Sequence, residues 1–165
     1  MPRRLVALLL LAACAPSSQE WTLTPDGVGP LTIGMDILVA DSLLGNAFEV
    51  PSFISGCDLL PLGAPHAGVW LMFRDGTLVR AEVREPGVAD LAGVQVGDAE
   101  AEALARHGDR VRQLPHKWVE GSYLVILPAA GADTLRRTVI ETERGRVSLI
   151  RAGRMPEVEW TEGCV

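Results

Sequence analysis

The run "TLVRAEV" (77–83) alternates Val79, Ala81 and Val83 with Leu78, Arg80 and Glu82, the period of two that sends successive side chains to opposite faces of a strand. It follows "GVWLMF" (68–73) across Arg74-Asp75-Gly76, and Asp-Gly between two such runs predicts a tight hairpin. "TVIET" (138–142) and "RVSLIRAG" (146–153) flank Glu143-Arg144-Gly145 in the same manner. Further strands are expected at "EWTLT" (20–24), "AFEV" (47–50), "RVRQL" (110–114) and "YLVIL" (123–127), with a closing strand at "EVEWTEGC" (157–164). This pattern places Arg80 and Glu82 on an exposed strand face and Trp21, Trp70 and Trp160 in the core. "LPLGAPHAG" (60–68) and "LPAAGAD" (127–133) read as loops from their Pro and Gly content.

Two stretches switch to helical spacing. In "IGMDILVADSLLGNAF" (33–48) Asp36 is placed to cap, and Ile37, Ala40, Leu43 and Leu44 form an apolar stripe. In "VGDAEAEALARHGDRV" (96–111) Asp98 is the expected N-cap, Glu100 and Glu102 suit the positive helix start, Arg106 and His107 the end, and Gly108 the left-handed exit. Each stretch holds a glycine pair eleven apart, Gly34 to Gly45 and Gly97 to Gly108. The expected fold is therefore α+β: two tandem repeats, about 20–90 and 91–165, each a short helix packed on antiparallel strands, sharing a single domain over 20–165.

The N-terminus follows a different rule. Arg3 and Arg4 precede an apolar run from Leu5 to Ala13, nine residues and too short to cross a hydrocarbon layer of about 30 Å, so 1–13 reads as a signal peptide. Leu11-Ala12-Ala13-Cys14 resembles the lipobox of bacterial lipoproteins, and that resemblance implies cleavage before Cys14, acylation of its thiol, and a short tether at 14–19. In that family Asp in the place of Ala15 would signal retention at the inner membrane, so for a host with two membranes the resemblance implies the outer membrane, facing the periplasm. Acyl chains contribute about 0.8 kcal/mol per buried methylene and anchor a small domain durably.

Charge then narrows the partners. The chain has 15 Lys+Arg against 21 Asp+Glu, and loss of Arg3 and Arg4 makes it more acidic still. Nucleic acid is excluded as an expected partner, and the lipid, rather than a basic patch, must hold the domain at a membrane. With Cys14 acylated, Cys57 and Cys164 remain, and in an oxidising compartment the simplest outcome is one disulfide; the alternative is a reactive thiol, for which neither "SGCDLL" nor "TEGCV" supplies a neighbouring base or cation.

A lipobox, a short strand into "GPLTIGM", and a helix ending in Gly before antiparallel strands resemble the small outer-membrane lipoproteins of the SmpA/OmlA type and the β-lactamase-inhibitor-protein-like fold. The matching residues are Ile33, Gly34, Met35 and Gly45, then Val96, Gly97 and Gly108. The resemblance implies a helix-plus-sheet layer and carries over no functional residue.

Chemistry is sparse. His66, His107 and His116 lie far from one another and from Cys at metal-ligand spacing, so no metal and no cofactor is expected, and His107 reads as a helix C-terminal cation. Ser52, Ser55 and Ser122 are nucleophiles by type alone, without a GxSxG elbow. Glu141 with Glu143, and Glu157 with Glu159, alternate as solvated strand surface. "LPHKWVEGSY" (114–123) stands apart: His116, Lys117, Trp118 and Tyr123 join a cation to amphipathic aromatics, the composition of a partner-binding patch. The expected function is a non-enzymatic, membrane-anchored envelope lipoprotein, binding a protein or cell-wall partner or acting as a spacer. The alternative is a small hydrolase using His116 with a serine or carboxylate.

Overall fold

The computed structural model describes residues 21–47 and 56–164; the signal peptide, Cys14, the tether, Ser52, Ser55 and most of the "AFEV" segment lie outside them. In chain order the elements are β1 (Thr22–Thr24), β2 (Gly27–Val28), β3 (Leu31–Thr32), α1 (Ile37–Leu43), β4 (Cys57–Pro61), β5 (Val69–Arg74), β6 (Thr77–Val83) and β7 (Ala89–Asp90). They continue with α2 (Glu100–His107), a 3₁₀ turn at Gly108–Arg110, β8 (Val111–Pro115), β9 (Ser122–Ile126), β10 (Arg136–Glu143), β11 (Arg146–Arg154) and a second 3₁₀ turn at Glu157–Glu159.

Turn chemistry sets the main sheet. Asp75 and Gly76 have φ of 48° and 74°, and Arg144 and Gly145 have 49° and 76°, the two consecutive left-handed residues of a type I′ hairpin turn. The β5–β6 and β10–β11 hairpins so formed pair antiparallel through β6 and β11, giving one continuous seven-stranded sheet in the order β4-β5-β6-β11-β10-β9-β8. A second sheet, β3-β2-β1-β7, is small and includes a parallel β1–β7 pair. Its Leu23, Val28 and Leu31, with Ile37 and Ala40 of α1 and Ala103 of α2, pack on Leu71, Phe73, Ala81, Leu124, Ile140, Ile150 and Ala152 from one face of the large sheet. That layer is the core.

The two-repeat α+β architecture is thereby corrected. Each helix does hang from a hairpin by matching bonds: Gly34 and Ile37 N–H donate to Leu78 and Gly76 carbonyls (2.7 and 2.8 Å), Gly97 and Glu100 N–H to Val147 and Gly145 carbonyls (2.8 and 2.9 Å). The likeness ends there. Among the described residues the molecule is mostly β, two short helices contribute little of the core, and backbone pairing across β6 and β11 merges the strands into one sheet instead of two helix-on-strand units.

Local expectations divide similarly. Asp36 Oδ1 accepts the Leu38 N–H at 2.8 Å as a cap, but α2 starts at Ala99 without a side-chain cap, because Asp98 turns its carboxylate to the Gln95 N–H (2.9 Å). Leu43 is exposed, so the stripe of α1 is narrower than expected, while Trp21, Trp70 and Trp160 are only half-buried. The expected closing strand at 157–164 does not form; Glu157–Glu159 is a 3₁₀ turn, and the segment crosses the outer face of the large sheet. Cys57 and Cys164 form the disulfide, Cα atoms 5.4 Å apart, which staples this segment to edge strand β4.

Candidate functional site

The face of the large sheet turned away from the core is charged. Alternation on β6 sends Arg80 and Glu82 outward, as the sequence predicts, yet they are only 2% and 1% exposed, because the C-terminal segment lies over them. The Arg80 Nη1 donates to the carbonyls of Glu157 (2.7 Å) and Trp160 (2.8 Å), and Arg151 Nε on β11 donates to the Val158 carbonyl (2.7 Å). Val158 and Met155 in turn pack on Tyr123, Val125 and Val139. Guanidiniums here do what a neighbouring strand would do, satisfying carbonyls of a segment that has no ladder of its own. Within the sheet beneath, Gly153 permits the close approach of β11 to β6: its φ is +153°, and a Cβ would strike the Val79 carbonyl of β6.

Carboxylates balance those cations. Glu82 pairs with Arg80 and accepts from Arg84 (2.7 Å), whose guanidinium lies 4.1 Å from the Trp70 ring centre. Glu141 pairs with Arg151, and Glu157 accepts from Arg74 at 2.9 Å and Arg154 at 3.3 Å. Burial pulls the Arg80 guanidinium below its ordinary value, opposed by Glu82. Burial alone would raise the Glu157 carboxyl, but its own backbone N–H and the bonds from Arg74 and Arg154 prevail and hold it below its ordinary 4.5. Glu141 and Glu157 are thus members of a covered ionic network, and the solvated-surface reading of both is corrected.

The 114–123 segment lies at one end of this face. β8 and β9 pair from Val111 with Ile126 to Pro115 with Ser122, and His116 N–H closes the turn on the Gly121 carbonyl at 3.0 Å. The His116 ring stacks on Tyr123, centroids 4.4 Å apart, and its Nδ1 accepts the backbone N–H of Trp118 (3.1 Å) and Val119 (3.3 Å). An Nδ1 that accepts leaves Nε2 as the protonated nitrogen of the neutral ring, and Nε2 stands 3.5 Å from Glu141 Oε2. Both nitrogens are therefore engaged in holding the turn. Tyr123 is buried beneath, whereas Trp118 projects from the turn with 63% of its surface exposed, flanked by exposed Leu114 and Val119. The Lys117 Nζ lies 4.3 Å from the Trp118 ring centre and 3.3 Å from Glu162 Oε1.

The structure thus brings His116, Lys117, Trp118 and Tyr123 together but separates Ser122 from them. Ser122 is on the core side of β9, where its hydroxyl joins Gln113 (2.9 Å) and Glu100 (3.1 Å). The three histidines stay apart: His66 stacks on Trp21 with ring centres 3.6 Å apart, and His107 contacts Asp90. Among the described residues no cluster of three His, Cys, Asp or Glu side chains is arranged to hold a metal ion, and no helix is long and apolar enough to cross a membrane.

His107 does close the last turn of α2, as expected of a helix C-terminal residue, but it is buried against a carboxylate. Its side chain is 4% exposed, and Nε2 lies 2.7 Å from Asp90 Oδ2. Asp90 is held in turn by the N–H groups of Ala92 and Val94 on Oδ1 (2.8 and 2.9 Å). The pairing joins β7 to α2, a contact between segments with no shared periodicity; the only local sign was an Asp two residues before Ala92 in "VADLAG", a spacing that suits an Asx turn.

No family model matches the chain, and no curated protein matches it. Solved structures do: an extracellular protein containing a SCP domain from Bacillus anthracis str. Ames is similar over 94% of this chain and 50% of its own, at 10% identity and a TM-score of 0.46. A cysteine-rich secretory protein from Staphylococcus aureus subsp. aureus Mu50 is similar over 74% of this chain and 44% of its own, at 13% identity and a TM-score of 0.47. The chain spans about half the length of these proteins or less.

Proposed function

We propose that the chain is a non-enzymatic envelope lipoprotein, anchored through lipid on Cys14, that binds an envelope protein or cell-wall partner through the 114–123 turn. The observation that supports this reading most is the combination of order and exposure at Trp118: a turn closed by three hydrogen bonds and a ring stack holds an indole in solvent beside a cation. A rigid exposed aromatic loses little entropy on binding, and such residues dominate interface energetics. The disulfide suits a compartment outside the cytoplasm.

The hydrolase reading has Glu141 within reach of His116, which gives it an orienting carboxylate. Against it, Nδ1 already accepts two backbone N–H groups and Nε2 faces Glu141, so neither nitrogen is left to take a substrate proton. Photo-crosslinking from position 117 in intact cells tests the proposal. A single captured species, lost in Trp118→Ala, is expected; capture of nothing specific removes the binding role. Cys14→Ser is expected to move the protein from the membrane to the soluble fraction, and retention in the membrane overturns the lipid anchor.

A further inference from the structure

The end of the β8–β9 hairpin opposite Trp118 opens on a cleft of about 520 Å³ between β7, the end of α2 and the 127–135 loop. That volume lies within the range of small-molecule sites, roughly 300–1,000 Å³. Its walls are apolar at Leu91, Ile126 and Leu127 and cationic at Arg110 and Arg136, with the His107–Asp90 pair between them. Four arginines line this one cleft in a chain whose formal net charge is −6.

Two buried polar groups there lack partners, and an exposed arginine beside them, Arg110, is unpaired among the described residues. Asp90 engages His107 Nε2, and the buried His107 Nδ1 has no hydrogen-bond partner among the described residues. Arg136 Nη1 is likewise buried and unpartnered, while its Nε makes only loose pairs, 3.7 Å to Asp133 and 4.0 Å to Asp26, both carboxylates being largely exposed. Leaving a buried donor or acceptor unsatisfied costs about 1–3 kcal/mol, so native proteins retain such groups where something else satisfies them. Asp26 and Asp133 sit at the rim, exposed and only loosely paired with Arg136, so an anion competes with them for its guanidinium.

The geometry points to a binding site for a small amphipathic organic anion, its acidic head on the Arg110 and Arg136 guanidiniums beside His107 and its apolar body against Leu91, Ile126 and Leu127. The head requirement follows from the guanidiniums; with Nε2–H given to Asp90, Nδ1 of the neutral His107 ring is an acceptor and suits a hydroxyl or protonated oxygen of the ligand. The body requirement follows from apolar walls that a simple inorganic anion would leave wet. Asp90 is the positioning residue, since it holds the His107 ring so that Nδ1 is that acceptor. This site is separate from the Trp118 turn, so either can fail alone.

The mature chain from residue 14 carrying Cys14→Ser, which has neither lipid nor the apolar 5–13 run, is titrated with 8-anilinonaphthalene-1-sulfonate, with its neutral counterpart N-phenyl-1-naphthylamine, and with inorganic phosphate. Saturable 1:1 binding of the sulfonate is expected, weakened at least tenfold by Arg110→Met with Arg136→Met, with the neutral analogue at least tenfold weaker on the parent chain. Circular dichroism verifies that the double variant is folded, and the ¹⁵N resonances of the His107 ring should move on sulfonate addition while those of His116 stay. Equal binding of the neutral analogue, indifference to the arginine substitutions, or no saturable binding overturns the proposal. Displacement of the sulfonate by phosphate alone at comparable concentration also overturns it, because the apolar body would then contribute nothing.

Discussion

His107 and His116 each meet a carboxylate, and they are used in opposite ways. His107 is sealed between β7 and α2, close to Asp90 at 2.7 Å, and keeps Nδ1 free at the edge of a cleft. His116 sits at the outer face, 3.5 Å from Glu141, with Nδ1 consumed by the backbone of its own turn. The same imidazole-carboxylate pair is thus a candidate recognition element in one place and a brace in the other. Counting which ring nitrogen remains, and not proximity to an acid, separates the two roles.

The largest effect is expected from releasing the cover over the outer face. Cys57→Ala with Cys164→Ala opens a link spanning 107 residues and should lower stability by about 4–5 kcal/mol in the chain-entropy account, read as a fall in the urea midpoint. Amide exchange should then accelerate in 155–164 far more than in 89–94; equal acceleration would show that the two histidine regions are one cooperative unit. Next, His107→Ala should cost about 3 kcal/mol through a void and the loss of the buried Asp90 carboxylate's ring partner, against about 1 kcal/mol for His116→Ala, whose turn is open to water. Reversal of that order in urea titrations would break the contrast between sealed pair and surface brace.

Glu157 provides a pH test of the outer face alone. Its carboxyl is held below the ordinary 4.5, so the unfolded chain binds the proton first and stability falls as pH drops from about 4.5 through the native value. Glu157→Gln should lose about 2 kcal/mol at pH 7 and flatten that part of the acid dependence, checked by denaturation at pH 7 and across pH 3–5. The smallest effect belongs to Trp118→Ala, expected within about 0.5 kcal/mol of the parent because the indole stands in solvent. A larger loss would make Trp118 part of the fold and weaken its reading as a contact residue.

Several elements are legible from the sequence because their causes are local. The period-two runs, the Asp75-Gly76 and Arg144-Gly145 turns and the Asp36 cap each depend on neighbours a few residues away, and the disulfide follows from an even cysteine pair. The same alternation correctly separates the faces of β6 but says nothing of what lies above a face. Only the tertiary structure decides that Arg80 and Glu82 are covered, since the cover comes from residues about 80 positions later in the chain and is held by side-chain bonds to carbonyls, which leave no periodic trace. It alone joins the two hairpins into one sheet, through backbone bonds between β6 and β11 that leave no period in the sequence, with Gly153 the one place where the approach excludes a side chain. For the histidines, composition supplied the candidates; the free nitrogen of His107 was settled by Asp90, 17 positions away in the chain, and Nδ1 of His116 was taken by its own turn while Glu141, on another strand, faces the other nitrogen.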